Sequence, residues 1–348
     1  MYFQFRITDI IRETSGTYTY QLENTTHTPL AYLPGQFLTF LITLHNKEYR
    51  RSYSFSSTPG VDPFMSVTIR EKENGEISRH IIRTWKKGEL VTALEPSGRF
   101  TYEDRQGGKK DLFLLAAGSG ITPIFSLLKQ LLTQDPEAHV KLIYSNSTPE
   151  NAIFYQQLQQ WQEQYPLQLQ CIFLFSNDPD NHHTYRRLNN LLLEQLVKTH
   201  LHYQPQDAQF FLCGPPDYMR TILLTLTFMG FRETQLHKEN FVVNTDIRIA
   251  KTPLPTDHHL KKVFIRLKNE EYQLQVPGDE TILNNALQNN VLLPYSCKGG
   301  VCGSCTALCV SGKVWMPVNE VLTDKELAEG LVLTCVGYPV SEEVILEF

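Results

Sequence analysis

Five of the chain's seven cysteines fall in its last 52 residues: Cys297, Cys302, Cys305, Cys309 and Cys335. An odd, clustered set of thiols argues for a metal or cluster site, not a disulfide framework. The segment Leu293-Pro-Tyr-Ser-Cys297-Lys-Gly-Gly-Val-Cys302-Gly-Ser-Cys305, with Cys335 as a fourth thiol, reads C-x4-C-x2-C…C. Four thiolates at this spacing suit a [2Fe–2S] cluster. Gly299, Gly300 and Gly303 let a loop pass close to such a cluster and take positive φ. Loop N–H groups aimed at the sulfurs would help set its potential. Structural zinc ordinarily needs two CxxC knuckles, and only Cys302–Cys305 makes one, so the cluster is the better reading. Cys309 lies in the apolar run Thr306–Val310 and is expected to be a core thiol.

A second group of residues could hold a phosphorylated aromatic ligand. In Arg51-Ser-Tyr53-Ser54 the arginine can grip a pyrophosphate by its bidentate fork. Tyr53, two residues on, shares the arginine's face of a strand and can stack on a ring. Ser54 can hydrogen-bond a ring nitrogen. Gly75-Glu-Ile-Ser78 opens the one helix in this region, with Ser78 the expected N-cap, and a helix N-terminus binds phosphate.

A third group has the form of a nucleotide site. The buried-looking strand Leu112–Ala117 runs into Gly118-Ser-Gly120-Ile-Thr122-Pro123, and a helix follows with Pro123 in its first turn. Strand, glycine turn and helix together suit a pyrophosphate at a helix N-terminus, although the G-x-G-x-x-G fingerprint is absent. Phe211-Leu-Cys213-Gly214-Pro215-Pro216 repeats this arrangement at a later strand end.

Three kinds of chain must position these groups. Residues 1–105 read as all-β with one helix. The strands are Phe3–Ile11, Thr17–Leu22, Gln36–Leu44, Arg51–Ser56, Met65–Arg70 and Leu90–Leu94, and the helix is Ile77–Trp85. Residues 106–243 alternate apolar strands with helices, the pattern of a parallel α/β sheet. A Pro/Thr/His-rich stretch, 244–259, reads as a linker. Residues 260–348 form an α+β unit of hairpin, helix Ile282–Asn289, cysteine loop and short strands. The chain is therefore multidomain.

Hydrophobic residues make up 41% of the 348 and charged residues 20%, the values of a folded globular protein. The formal net charge is −5, which gives no reason to expect nucleic-acid binding. Residues 260–348 carry 7 Lys+Arg and 11 Asp+Glu, so most of the negative balance sits with the cysteines. That balance reads either as a solvated surface or as a docking face for a basic partner. No apolar run reaches the roughly 18–20 residues of a membrane span. The N-terminus alternates like a strand and is not a signal peptide, so the expected compartment is the cytoplasm. The pairs His182-His183 and His258-His259 are expected to be solvated, not metal ligands.

The cysteine segment, with Gly312–Met316 and Val332–Cys335, resembles a plant-type ferredoxin domain of the β-grasp class over the last quarter of the chain. Arg51-Ser-Tyr53-Ser54, Gly75–Ser78, Gly118–Pro123 and Cys213–Pro216, in this order, resemble the ferredoxin–NADP reductase superfamily. The resemblance implies an antiparallel β-barrel for residues 1–105, and FAD in preference to FMN. It assigns Arg51 to the flavin phosphates and Tyr53 and Ser54 to the isoalloxazine. Val67, Thr68 and Ile69 would line the ribityl chain, and Gly75 and Ser78 would meet the pyrophosphate. Gly118, Gly120, Thr122, Pro123, Gly214 and Pro215 would cradle the nicotinamide nucleotide. Cys213 would lie near the nicotinamide, acting with Ser54 at the reacting centre, and Phe241 would cover the flavin face. Cys297, Cys302, Cys305 and Cys335 would hold the cluster.

Relatives often carry arginine at the position of Ser147. NADPH is favoured over NADH as donor if Arg187 or its neighbour Arg186 supplies the cation that the ribose 2′-phosphate needs. The whole resembles the reductase components of oxygenase complexes, that of phenylacetyl-CoA epoxidase among them. It implies electron flow from NAD(P)H through flavin and cluster to an oxygenase-type protein, with the cofactors carrying the chemistry. A different acceptor, such as a monooxygenase, a desaturase or a hybrid-cluster protein, is the alternative enzyme reading. A non-catalytic electron carrier or redox sensor is the alternative from another class.

Overall fold

Along the first strand, β1 (Tyr2–Thr14), Phe3, Phe5 and Ile7 turn inward and are buried, while Tyr2, Gln4 and Arg6 turn out. This two-residue period builds one face of a core. β1 belongs to a six-stranded antiparallel sheet with β2 (Thr17–Asn24), β3 (Phe37–Leu44), β4 (Lys47–Ser54), β5 (Met65–Arg70) and β6 (Leu90–Leu94). The strand order is β4-β3-β6-β1-β2-β5. The two edges meet where Phe55 bridges Val67 and the Ser56 N–H donates to Ser66 O at 2.9 Å, closing the sheet into a barrel. Helix α1 (Glu76–Thr84) buries Ile77 and Ile81 in the barrel core.

The structure is a computed structural model that describes residues 2–26, 30–103, 109–177, 187–241, 254–268 and 270–348. The chain packs as two units, 1–241 and 242–348. Unit 1–241 holds the barrel and a five-stranded parallel sheet. That sheet contains β7 (Lys110–Ala117), β8 (Ala138–Asn146), β9 (Leu169–Phe175), β10 (Ala208–Cys213) and β11 (Leu236–Glu239). Helices α2 (Ile121–Gln134), α3 (Tyr155–Gln164), α4 (Asn190–His200) and α5 (Pro216–Phe228) connect them. Along β7, Leu112, Leu114 and Ala116 face one core while Phe113 and Leu115 face the other. Both faces are thus covered, as a parallel sheet requires. The order β11-β10-β7-β8-β9 reverses direction between β7 and β10. In open α/β sheets, ligands bind beyond the strand ends at such a switch point.

Unit 242–348 contains a five-stranded sheet of order β13-β12-β18-β14-β16, with the small pair β15-β17 beside it. Its strands are β12 (Leu260–Leu267), β13 (Glu270–Pro277), β14 (Thr306–Ser311), β15 (Val314–Trp315), β16 (Leu331–Leu333), β17 (Tyr338–Pro339) and β18 (Glu343–Glu347). Helix α6 (Ile282–Gln288) lays Ile282, Leu283 and Ala286 on the core, and α7 (Asp324–Ala328) is a short surface turn. β12 and β18 run parallel and the other pairs antiparallel, giving the α+β class expected. Among the described residues, no helix is long and apolar enough to cross a membrane.

Two elements differ from the sequence reading. β4 starts at Lys47, four residues earlier than expected, because the hairpin turn falls on His45 and Asn46, both at positive φ. α3, for which the sequence pattern predicts the range Asn151–Gln164, starts at Tyr155. A 3-10 turn over Pro149–Asn151 and a left-handed Phe154 (φ 62°) hold the helix off.

Candidate functional site

The barrel seam brings β4 and β5 together. β4 carries Arg51, Tyr53 and Ser54, and β5 carries Val67, Thr68 and Ile69. Arg51 is exposed and donates to Arg50 O at 2.8 Å. Its guanidinium lies 5.8 Å from the Tyr49 ring centre and meets no carboxylate among the described residues. Burial pushes the Tyr53 phenol up to about 12, against the lowering charge of Arg51, so it stays neutral. Ser54 is buried at the strand end. Val67 and Ile69 point into the barrel core, and Thr68 is buried among Thr19 and Ser56 hydroxyls at 2.8 and 2.9 Å. β5 therefore offers backbone at this seam more than side chain.

Ser78 is not the N-cap of α1, contrary to expectation. Gly75 takes that position, because the helix starts at Glu76. Ser78 stands in the third helical position, where its hydroxyl accepts the Lys72 N–H at 3.0 Å and so ties down the preceding loop. A Cβ on Gly75 would come within 2.8 Å of that hydroxyl.

At the sheet's switch point the turn after β7 meets the turn after β10. Gly118 has φ +54°, and a Cβ there would stand 3.0 Å from a guanidinium nitrogen of Arg70. The Tyr144 hydroxyl donates to Gly118 O at 3.1 Å and accepts the Ile153 N–H at 3.1 Å. Thr122 donates to Ser119 O at 3.0 Å, and both Thr122 and Pro123 are buried in the first turn of α2. Gly214 packs on the Tyr218 ring, whose hydroxyl donates to Ala116 O at 3.1 Å. Pro215 caps α5 and is exposed. Cys213 is fully buried, and burial, with the nearby charge of Glu239, pushes its thiol well up.

Glu239 pairs in register with Cys213, and Arg70 abuts the glycine turn. The sequence reading picked out neither. The periodicity of β5 marks Arg70 only as a strand end, and Glu239 gains meaning only once β11 is seen to lie beside β10. The hydroxyl of Ser145, near that of Tyr218, and the amide nitrogen of Asn146, whose side chain nears the Tyr144 hydroxyl, are buried at the end of β8 and have no hydrogen-bond partner of good geometry among the described residues. Such orphaned groups fit a site that a polar nucleotide completes. Ser147 is exposed and accepts from the Asn151 side chain at 3.1 Å. Arg187 is exposed, and Arg186, His182 and His183 lie outside the described residues. Phe241 is 45% exposed at the end of its unit.

In the other unit the thiols of Cys297, Cys302, Cys305 and Cys335 converge. The Cys297 sulfur neighbours those of Cys302 and Cys335, and the Cys305 sulfur neighbours that of Cys335. The Cys302 thiol, with that of Cys335, holds Cys297 well below the ordinary thiol range, and the Gly299 N–H adds to this at 3.4 Å. The Cys335 thiol lowers Cys305 in the same way. Cys302 and Cys335, the partners of Cys297, move up. No three His, Cys, Asp or Glu side chains among the described residues group as a single metal ion would need. Four neighbouring thiols are the donor set that a [2Fe–2S] cluster takes. Gly300 (φ +71°) and Gly303 (φ +72°) carry the loop through the left-handed region. Cys309 stands apart on β14, half-buried at the edge of the core. His258 and His259 are exposed, each against a carboxylate, Asp279 at 2.7 Å and Asp257 at 2.6 Å.

Three family models match the chain: an oxidoreductase FAD-binding domain over residues 4–102, an oxidoreductase NAD-binding domain over 114–223 and a 2Fe-2S iron-sulfur cluster binding domain over 265–340. The chain is 32% identical over 321 residues to one of the subunits of 1,2-phenylacetyl-CoA epoxidase from Escherichia coli (strain K12), covering 91% of this chain and 88% of that protein. The chain belongs to the ferredoxin–NADP reductase family. It is an oxidoreductase whose cofactors are FAD, NAD(P)H and a [2Fe–2S] cluster.

A second family relative is the ferredoxin reductase component of 3-ketosteroid-9-alpha-monooxygenase from Rhodococcus rhodochrous, 29% identical over 98% of this chain and 95% of that one. The fold also matches phthalate dioxygenase reductase, with a TM-score of 0.60 at 21% identity over 100% of this chain and 98% of that one. An intact type IV self-sufficient cytochrome P-450 monooxygenase matches with a TM-score of 0.74 at 19% identity over 99% of this chain. This chain spans only 41% of that protein's length.

Proposed function

We propose that this reductase takes electrons from NADPH and delivers them to the oxygenase component of a multicomponent system, with an epoxidase acting on phenylacetyl-CoA as the favoured acceptor. The observation that carries this reading is the likeness to the Escherichia coli epoxidase protein, which runs through all three parts of the chain at once. No disulfide joins any of the seven cysteines, which favours the reducing cytoplasm as its compartment. The flavin part is taken as 1–105, the nucleotide part as 106–243, the linker as 244–259 and the cluster part as 260–348.

When bound, the flavin supplies two-electron chemistry towards the nicotinamide and one-electron chemistry towards the cluster. The chain's residues bind and orient. Arg51 holds the flavin phosphates by charge-assisted hydrogen bonds. Tyr53 lies along the ring, and Ser54 bonds its edge. The backbone of Val67, Thr68 and Ile69 lines the ribityl chain. The Gly75–Ser78 end of α1 meets the pyrophosphate through its free N–H groups. Gly118, Gly120, Thr122 and Pro123 receive the nicotinamide nucleotide from one side, and Gly214 and Pro215 from the other. Cys213, kept protonated by burial, borders the nicotinamide and shapes the site without serving as a nucleophile. Phe241 covers the flavin face when the nicotinamide is away. Arg187 meets the 2′-phosphate. Cys297, Cys302, Cys305 and Cys335 would hold the [2Fe–2S] cluster, which would carry single electrons.

Anaerobic addition of NADPH should bleach the flavin absorbance. Adding the oxygenase component of a phenylacetyl-CoA epoxidase with phenylacetyl-CoA and oxygen should then restore it and give steady NADPH consumption, faster than oxygen and reductase give alone. A flavin that NADPH and NADH both leave oxidised would overturn the reading.

A further inference from the structure

Helix α2 carries the Gly118–Thr122 turn at its N-terminus and Lys129 on its third turn. Lys129 is 3% exposed, and a lysine is almost never buried so deeply unless it is paired. Its ammonium donates to Ser56 O at 2.9 Å and to the Asp62 carboxylate, and it lies 4.5 Å from the Phe125 ring centre. The same Asp62 oxygen accepts the Thr58 N–H at 2.6 Å. One turn back along the helix, the Ser126 hydroxyl donates to Ser57 O at 2.6 Å, and the Thr58 hydroxyl donates to Ser126 O at 2.7 Å. Two turns of α2 are thereby tied to the loop 55–62. That loop leaves β4 directly after Ser54.

Leu127 and Leu128 are fully buried and supply adhesion. Apolar contact is non-directional and lets a helix slide along its own axis. A buried ammonium has few satisfied positions, and leaving it costs the desolvation of a charge. The lysine therefore fixes what the leucines leave loose.

We infer that Lys129 is a positioning residue: with Asp62 and Ser56 O it sets the stand of the Gly118–Thr122 turn against Ser54, and so the approach of the nicotinamide to the flavin. The second half of this statement rests on the proposed roles of those two segments.

The test uses the holoenzyme and three variants: Lys129→Met, Asp62→Asn, and the double variant Lys129→Met with Asp62→Leu. The double variant leaves no charge of the pair behind, so its melting midpoint should return to that of the wild type. Lys129→Met should keep its FAD, hold its NADPH KM within about threefold, and slow single-turnover flavin reduction about ten- to a hundredfold. Amide hydrogen exchange in residues 118–128 should speed up about tenfold or more, with β7 unchanged. Asp62→Asn should fall between the wild type and Lys129→Met. The double variant should regain the midpoint but not the rate. Recovery of the rate along with the midpoint, or unchanged exchange and rate in Lys129→Met, would overturn the inference. Exchange reads the tie itself, so it decides that part even if NADPH fails to reduce the wild-type flavin, an outcome that would count against the function instead.

Discussion

A Cβ added at Gly120 would stand 2.1 Å from the carbonyl oxygen of Cys213 and 2.9 Å from the Gly214 nitrogen. The turns that follow β7 and β10 are thus in backbone contact, and only a glycine at 120 allows it. Gly120→Ala must push the turns apart at an overpacking cost of about 1–3 kcal/mol. Displacing the proposed nucleotide cradle should slow flavin reduction by NADPH about a hundredfold. FAD content and the visible cluster spectrum should persist. Stopped-flow reduction at saturating NADPH checks this, and a wild-type rate would show that the contact has no part in the reaction.

Arg51→Ala removes an exposed cation of the barrel seam. A charge-assisted phosphate contact is worth roughly 1.5–3 kcal/mol, so FAD should bind about ten- to a hundredfold more weakly. The measurement is flavin retained after dialysis, then titration of the depleted protein with FAD. Full retention would remove Arg51 from the phosphate site.

His237 provides a pH test. Burial pushes its imidazole down to about 4 in the folded chain. The ring stacks on Phe211 at 4.5 Å, and its Nε2 lies 2.8 Å from the Gln209 side-chain oxygen. The unfolded chain takes up its proton near the ordinary value of about 6.5, before the native protein does. The stability due to neutral His237 is therefore whole above that value and is lost as pH falls towards 4. It amounts to about 3 kcal/mol at most. His237→Gln should show a shallower fall in melting temperature than the wild type between neutral pH and pH 4. Parallel curves would contradict the assignment.

Much of this fold can be read from the sequence. β5 and β6 show plain apolar patterns between turn residues, and their ends agree with the structure. The first half of β4 does not, because Lys47, Glu48, Arg50 and Arg51 mask a strand whose outer face is solvated. α7 was legible in principle. Thr323 and Glu326 form a capping box, but five residues are too few for a periodic signal. The glycine turns and the cysteine spacing are local motifs and stand out. The roles of Lys129, Arg70 and Glu239 depend on partners distant in sequence; Lys129 and Asp62 lie 67 residues apart. No window short enough to reveal periodicity contains both members of such a pair.

The preference for NADPH is tested at Arg187. If it supplies the cation missing at Ser147, Arg187→Ala should raise the KM for NADPH about five- to thirtyfold, the worth of roughly 1–2 kcal/mol, and leave that for NADH nearly unchanged. Arg186→Ala is the companion variant. Equal effects on both nucleotides would make the arginine structural. A wild-type enzyme that prefers NADH would reverse the assignment.

The central claim is that electrons from NADPH reach a cluster held by Cys297, Cys302, Cys305 and Cys335. The most direct measurement is electron paramagnetic resonance of the anaerobic protein frozen after NADPH addition, for the wild type and Cys297→Ser. The account predicts a reduced [2Fe–2S] signal in the wild type, with its average g value below that of a free electron. In Cys297→Ser that signal should be lost, while FAD stays bound to the unit 1–241 and is still bleached by NADPH. No cluster signal in a wild type whose flavin is fully reduced, or an undiminished signal in Cys297→Ser, would contradict it.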